Sequence, residues 1–175
     1  MKGRPGLEIR ARSGYFYHPT AADLQATRQR DLDGALFSPI DLTALTFTAR
    51  WKQQVSGKQA GTSHTEFELV MPANFAAIDE ADHNHITLDI LALAKTPDGK
   101  LVGDRIARSI DGHLNEMQLK QIRERGFTYA NALDLPAGNY LVRFVVRDGL
   151  NGRIGSVAAP LKVTSPSSSA SAPTP

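Results

Sequence analysis

Apolar and polar residues alternate with period two through much of this chain, and that pattern limits what it can build. In "LTALTFTARW" (42–51), Leu45, Phe47, Ala49 and Trp51 share one side and Thr46, Thr48 and Arg50 the other. "TEFELVM" (65–71) repeats it, with Phe67, Leu69 and Met71 against Glu66 and Glu68. Successive side chains of an extended strand point to opposite faces, so this period marks a half-buried β-strand. "HITLDILALA" (85–94) starts by alternating and then turns apolar on both sides, as a central strand does. "PDG" follows as turn chemistry, and "KLVGDRIARSI" (100–110) reads as the return strand. "NYLVRFVVRD" (139–148) sends Tyr140, Val142, Phe144 and Val146 inward and Arg143 and Arg147 outward. "GLNG" turns the chain, and "RIGSVAAPLKV" (153–163) closes the pair.

Six or seven strands, mostly joined by hairpins, predict a mainly β fold within 39–164. The expected architecture is an Ig-like or fibronectin-type antiparallel β-sandwich. Its predicted core includes Trp51, Phe67, Leu88, Tyr140 and Phe144. The Leu-Pro-x-Gly turn of "LDLPAGNYLVRFVVRD" (133–148) predicts that Tyr140 tucks in its ring and bonds back to the corner.

Two segments break the period. "PTAADLQATRQRDLDGAL" (19–36) has Pro19 in a first-turn position, good helix formers, and Gly34 near its end. It predicts an N-terminal helix, within a linker at 19–38, that lies on the sandwich or bridges to it. "NEMQLKQIRERG" (115–126) predicts a short helical insert. Asn115 is its N-cap, Gly126 its C-cap, and Met117, Leu119 and Ile122 its anchors. "PGLEIRARSGYFY" reads as a strand without a local partner, so 1–18 is expected to end an upstream domain. The tail "TSPSSSASAPTP" has no large apolar residue, and 165–175 is expected to be disordered.

The stretch "AAIDEADHNH" (76–85) contains the letters of a helicase box and of a nuclease name. The helicase needs a phosphate-binding GxxxxGKS/T loop, and the sequence has none. The nuclease site is dispersed over a ββα unit and is not three adjacent letters. The stretch therefore reads as a polar loop entering a strand. A weaker alternative is a metal site: His83 and His85, two apart, would share a strand face beside Asp82, Asp79 and Glu80, and a third ligand would have to converge. His18, His64 and His113 stand alone in the sequence and read as surface or loop residues.

No nucleophile elbow occurs. Ser13 and Ser156 neighbour glycines in strand or turn contexts, where a small side chain explains them. The pairs Asp79/Glu80 and Asp31/Asp33 lack an apolar pocket that would raise one pKa. "DGLNG" does not have the ligand spacing of a calcium-binding EF-hand loop. Arg105, Arg108, Arg143, Arg147 and Arg153 could form an anion-binding stripe, but they read as the solvated face of a sheet. The reading is thus non-enzymatic, with no cofactor. Twenty basic and 18 acidic residues leave a net charge of +2, which does not call for a nucleic-acid partner. There is no cysteine, hence no disulfide or thiolate site. The sequence holds no apolar run long enough for a transmembrane helix, and "MKGRPGLEIRAR" is not a signal peptide.

"RPGLEIRARSGYF" (4–16), "LALAKTPDGKLVGDRIARSI" (91–110) and "LDLPAGNYLVRFVVRDGLNGRIGSVAAPLKV" (133–163) together resemble the C-terminal half of the von Willebrand factor A-related (VWFA-related) proteins of acidobacteria. There, a "RPG…RARxGY" strand follows the VWA domain, and a β-rich region ends in "DLPxGxYxVRxxVRDxxxGRxGS". The resemblance implies an extracytoplasmic, non-enzymatic module whose partner is a protein, either an envelope component or the upstream VWA domain. The adhesion-site D-x-S-x-S motif of that domain does not occur here, so no metal ligand carries over. A chain lacking that domain would be the trailing piece of a longer protein.

Overall fold

The computed structural model describes residues 20–164. The expected strand at 1–18, with Ser13 and His18, lies outside the described residues, as do Pro19 and the tail at 165–175. The elements run in the order α1 (Ala21–Phe37), β1 (Thr48–Ser56), β2 (Thr62–Met71), β3 (His85–Lys95), β4 (Leu101–His113), α2 (Glu116–Arg125), β5 (Phe127–Pro136), β6 (Gly138–Asp148) and β7 (Ile154–Val163). Two antiparallel sheets result, ordered β1-β2-β5 and β4-β3-β6-β7. The fold is mainly β with two helices, as the alternation predicts, and its two faces pack into a sandwich.

The core lies between the sheets. Phe67 rests against Phe144 with ring centroids 4.9 Å apart, and Trp51 flanks both at 6.3 and 5.6 Å. Phe67, Leu88 and Phe144 are fully buried, and Tyr140 is nearly so. Each large apolar side chain removed from water contributes about 1.5–3 kcal/mol. Trp51 stays partly exposed at the rim, where its Nε1 donates to Pro160 O at 2.9 Å. The Tyr140 hydroxyl donates to Pro136 O at 3.0 Å, the corner bond that the turn sequence predicts.

The first strand differs from its expected span of 42–51. Thr43 bridges to Gly155, and Leu45 N bonds to Ile154 O, so this stretch lies along β7. The chain then crosses to the other sheet, where Thr48–Ser56 pairs with β2. Leu45 and Phe47 stay inside through the crossing, so the burial period survives although the partner strand changes. Gly155 permits the crossing: a Cβ there would stand 1.9 Å from Leu45 O. "FTYANALDLP" (127–136), where Asn131 interrupts the alternation of Phe127, Tyr129, Leu133 and Leu135, forms the whole of β5.

α1 begins with a capping box. Thr20 Oγ1 accepts from Asp23 N, and the Asp23 carboxylate accepts from Thr20 N. The helix runs past Gly34 to Phe37. It lies on the outer face of the four-stranded sheet, with Leu32, Ala35 and Leu36 seated on Leu91, Leu93 and Val145. The molecule therefore has a third layer on one side. Asn115 caps the start of α2 and Gly126 (φ 78°) its end, as expected. Of its predicted anchors, Ile122 is buried and Leu119 half-buried. Met117 is 79% exposed and anchors nothing, because the helix touches the body along a single line.

Candidate functional site

The 79–85 stretch is a turn that leads into β3, as the polar-loop reading expects. Asp79 organises it: its Oδ1 accepts from Ala81 N and Asp82 N, and its backbone pairs with His85. His83 (φ 49°) and Asn84 (φ 60°) adopt the left-handed conformation, which Asn and His enter more readily than most non-glycine residues. This corrects one expectation. His83 and His85 do not lie on one extended strand, so their two-residue spacing does not align them.

The structure instead brings in a residue read as isolated. His113 ends β4 opposite His85, and the two rings stack with centroids 5.0 Å apart. The His83 ring lies 6.4 Å from that of His113. Nitrogens of His85 and His113 face carboxylates. His85 Nε2 is 2.6 Å from Asp111 Oδ1, and its Nδ1 is 3.5 Å from Asp82 Oδ2. His113 Nε2 is 3.6 Å from the other Asp82 oxygen. The hydrogen bond with Asp111, outweighing partial desolvation and aided by the charges of Asp111, Asp82 and Asp79, raises the His85 pKa above its ordinary value. Arg123 of α2 donates to Glu80, which ties the helical insert to the same turn. Among the described residues no three such groups converge to hold a metal ion, so His83, His85 and Asp82 do not form the alternative metal site as placed. His64 lies in β2, with its Nδ1 2.8 Å from Asp134 Oδ1.

The arginine stripe is corrected as well. Arg143 and Arg147 do point away from the inter-sheet core, but α1 and the segment after it cover them. Arg143 is 6% exposed. It donates to Asp41 Oδ1 at 2.6 Å, to Ser156 Oγ at 3.0 Å, to Ala35 O at 3.4 Å and to Ile40 O. Arg147 lies 3.5 Å from Asp31 and 3.8 Å from Asp89. Asp89, 2% exposed on β3, accepts from Arg28 Nε at 2.8 Å and also from Arg28 Nη2. That hydrogen bond raises the Arg28 pKa against the opposing effect of burial. Arg105 reaches Asp33 at 3.1 Å, and Arg153 donates to Phe75 O at 3.2 Å. Arg108 donates to the neighbouring Ala107 O at 3.2 Å. Four of the five arginines are thus engaged across elements rather than presented to an anion.

Asp148 and Asp89 are the buried carboxylates that sequence reasoning passed over. Asp148 is fully buried and accepts from Ala77 N at 2.8 Å and Leu150 N at 3.0 Å, with Arg153 at 3.6 Å. The available signal for Asp89 was its position: a lone acid inside an apolar run requires a cation partner. On the opposite, three-stranded sheet, a depression of about 400 Å³ lies over Ala130 and Ala132 between Lys52, His64, Glu66 and Glu68. Lys52 Nζ is 3.3 Å from Glu68 there.

No helix among the described residues is long and apolar enough to cross a membrane. No family model matches this sequence, and no curated protein matches it. A solved structure described as Northeast Structural Genomics Consortium target SoR45 aligns over 74% of this chain and 91% of its own, at 10% identity and a TM-score of 0.32. A likeness at that score carries no argument about this chain.

Proposed function

We propose that this chain is a non-catalytic structural or protein-interaction module of an extracytoplasmic VWFA-related protein, carried on an Ig-like or fibronectin-type sandwich. The observation that carries the reading is how the 133–163 motif is used. Tyr140 closes its corner, Arg143 and Arg147 hold the outer helical layer, Asp148 caps two backbone amides, Gly155 admits Leu45, and Ser156 Oγ accepts from Leu42 N at 2.9 Å. The polar residues of the stretch that bears the resemblance are thus bound into framework. The strand order and the Tyr140 corner support the Ig-like kinship. Such scaffolds present recognition on their ends and loops.

The test uses the full chain, immobilised, against a bacterial cell-envelope extract. Retention of one protein at a fixed stoichiometry is expected. The other reading, a carbohydrate-binding module on the 79–85 loop, is favoured by the stacked rings of His85 and His113 beside Asp82 and Asp111. It predicts that a glycan raises the melting temperature and that His83→Ala abolishes the rise. That result with no retained protein would replace the interaction reading. Turnover of chromogenic esters, phosphates or glycosides by the pure chain would overturn the non-catalytic one.

A further inference from the structure

Asn131 and Arg108 each interrupt a core-facing row, and both stand on the same side of the sandwich. Asn131 of β5 lies opposite Phe67, in the row of Phe127, Tyr129, Leu133 and Leu135. Arg108 of β4 lies opposite Ile90, between Ile106 and Ile110. β4 and β5 are edge strands of their sheets. They meet closely at Gly103, where a Cβ would stand 2.6 Å from Leu135 Cδ2. Further along, a cleft of about 340 Å³ between them is lined by Arg105, Arg108, Asn131 and Ala132, among others.

An edge strand carries backbone groups that no neighbouring strand takes, and the ladders show which residues hold them. Asn84 O accepts from Leu114 N, and the β3–β4 pairing continues from there in register. Arg108, Ile110 and Gly112 therefore turn their backbone groups to β3, while Ala107, Ser109 and Asp111 turn theirs outward. On β2, Thr62 O accepts from Gly57 N, just past β1, so Thr65, Phe67 and Leu69 face β5. Ala130, Ala132 and Asp134 of β5 then face outward.

The interrupting side chains go to these outward groups. Asn131 Oδ1 accepts from Ala132 N at 2.8 Å, and its Nδ2 donates to the Tyr129 hydroxyl at 2.6 Å, which fixes the direction of the amide. Arg108 Nη1 donates to Ala107 O at 3.2 Å. The opposite side of the sandwich is closed by other means. There Trp51 Nε1 and Gln54 Nε2 of β1 donate to Pro160 O and Lys162 O of β7, and Leu45 N donates to Ile154 O.

An open edge is a template for pairing with another chain, and a polar residue pointing inward on an edge strand is one way a fold prevents it. We infer that Asn131 is an edge guard: it occupies Ala132 N and keeps a second copy of this chain from adding a strand to β5. An incoming strand would have to take that N–H and leave the Asn131 oxygen unpaired at the rim of the core, which costs free energy. Arg108 repeats the arrangement on β4. The inference goes beyond the interaction reading and stands apart from it, because it concerns copies of this chain alone.

The test compares the full chain with its Asn131→Val variant by sedimentation over a range of concentrations. Valine completes the alternation of β5 and favours a strand, so the variant should fold, and a thermal melt checks that it does. Asn131→Val is expected to gain species heavier than those of wild type as concentration rises. Adding Ala132→Pro deletes the uncovered N–H at an outward edge position, where proline is tolerated, and should restore the wild-type profile. A folded Asn131→Val that sediments like wild type would overturn the inference, and so would association that survives Ala132→Pro. Amide exchange in wild type needs no variant. Relative to its intrinsic rate, Ala132 N–H should exchange at least about tenfold more slowly than the outward N–H of Ala130. Equal protection of the two would overturn the guard even if every variant failed to fold.

Discussion

Replacing Arg143 with methionine tests the claim that the outer helical layer is latched to the sheet by a buried cation. The last turn of α1 contains no basic residue, although its free carbonyls favour one. Arg143 supplies the charge from β6, donating to Ala35 O near the helix end, to Ile40 O and to Ser156 Oγ. Methionine keeps the stem volume and deletes the fork. Bonds from a charged donor contribute about 1.5–3 kcal/mol each. The Ala35 contact at 3.4 Å is long, and Asp41 is half exposed and can turn to water, so each is discounted. The bonds to Ile40 O and Ser156 Oγ then amount to roughly 4 kcal/mol, and the methionine's own burial returns roughly 1. The net expected loss is about 3 kcal/mol. For a protein of this size, that lowers the melting temperature by about 9 °C. Urea unfolding measures the loss. Hydrogen exchange should show the end of α1 opening before β3 does. Arg143→Lys should recover only part of the loss, because one ammonium cannot reach partners spread over several directions. If Arg143→Met changes stability by less than about 0.5 kcal/mol, the guanidinium is in effect a solvated surface group and the latch does not exist.

Three further outcomes follow from single contacts. Tyr140→Phe removes the hydroxyl that donates to Pro136 O and should cost about 1 kcal/mol, roughly 3 °C in melting temperature; an unchanged melt would reject the corner bond. Gly155→Ala forces a Cβ into Leu45 O and should cost about 2 kcal/mol or more, with 42–45 leaving β7; a variant as stable as wild type would show that this crossing is loose. His85 has a raised folded pKa, so its stabilising contribution is full below its unfolded value of 6.5 and is lost as pH rises through the folded one. Melting temperature should therefore fall across the range above 6.5, and Asp111→Asn should flatten that fall; a slope unchanged in the variant would mean that another group titrates.

The frame of this fold is readable because burial between two sheets imposes period two. The inward sets Phe67, Leu69, Met71 and Tyr140, Val142, Phe144, Val146 follow from it directly. The period does not identify partners, which is why 42–51 reads as one strand although the chain changes sheets within it. The pattern is also weak where the apolar set is small: β5 packs only Leu133 and Leu135 deeply, with Phe127 and Tyr129 partly covered. The His85–His113 pairing depends on the length of the 96–100 turn and on the bulge between Ala92 and Ala94, neither of which the spacing of the histidines reveals.

The outer face shows a deeper limit. Alternation separates two faces but does not say whether the second meets water or another layer, so Arg143 and Arg147 carry the same period as solvated arginines. The distinguishing signs stand on β3: Leu91 and Leu93 are apolar on the face that alternation makes outer, and Asp89 joins them there without solvent. Apolar residues on both faces mean that both faces are covered, and a buried acid means that a cation arrives with the cover. Arg28 arrives on α1 itself, so the helix brings both the apolar seam for Leu91 and Leu93 and the cation for Asp89. Cover and charge thus come together on one element, so the buried acid and the apolar seam of β3 together specify the layer that alternation alone leaves open.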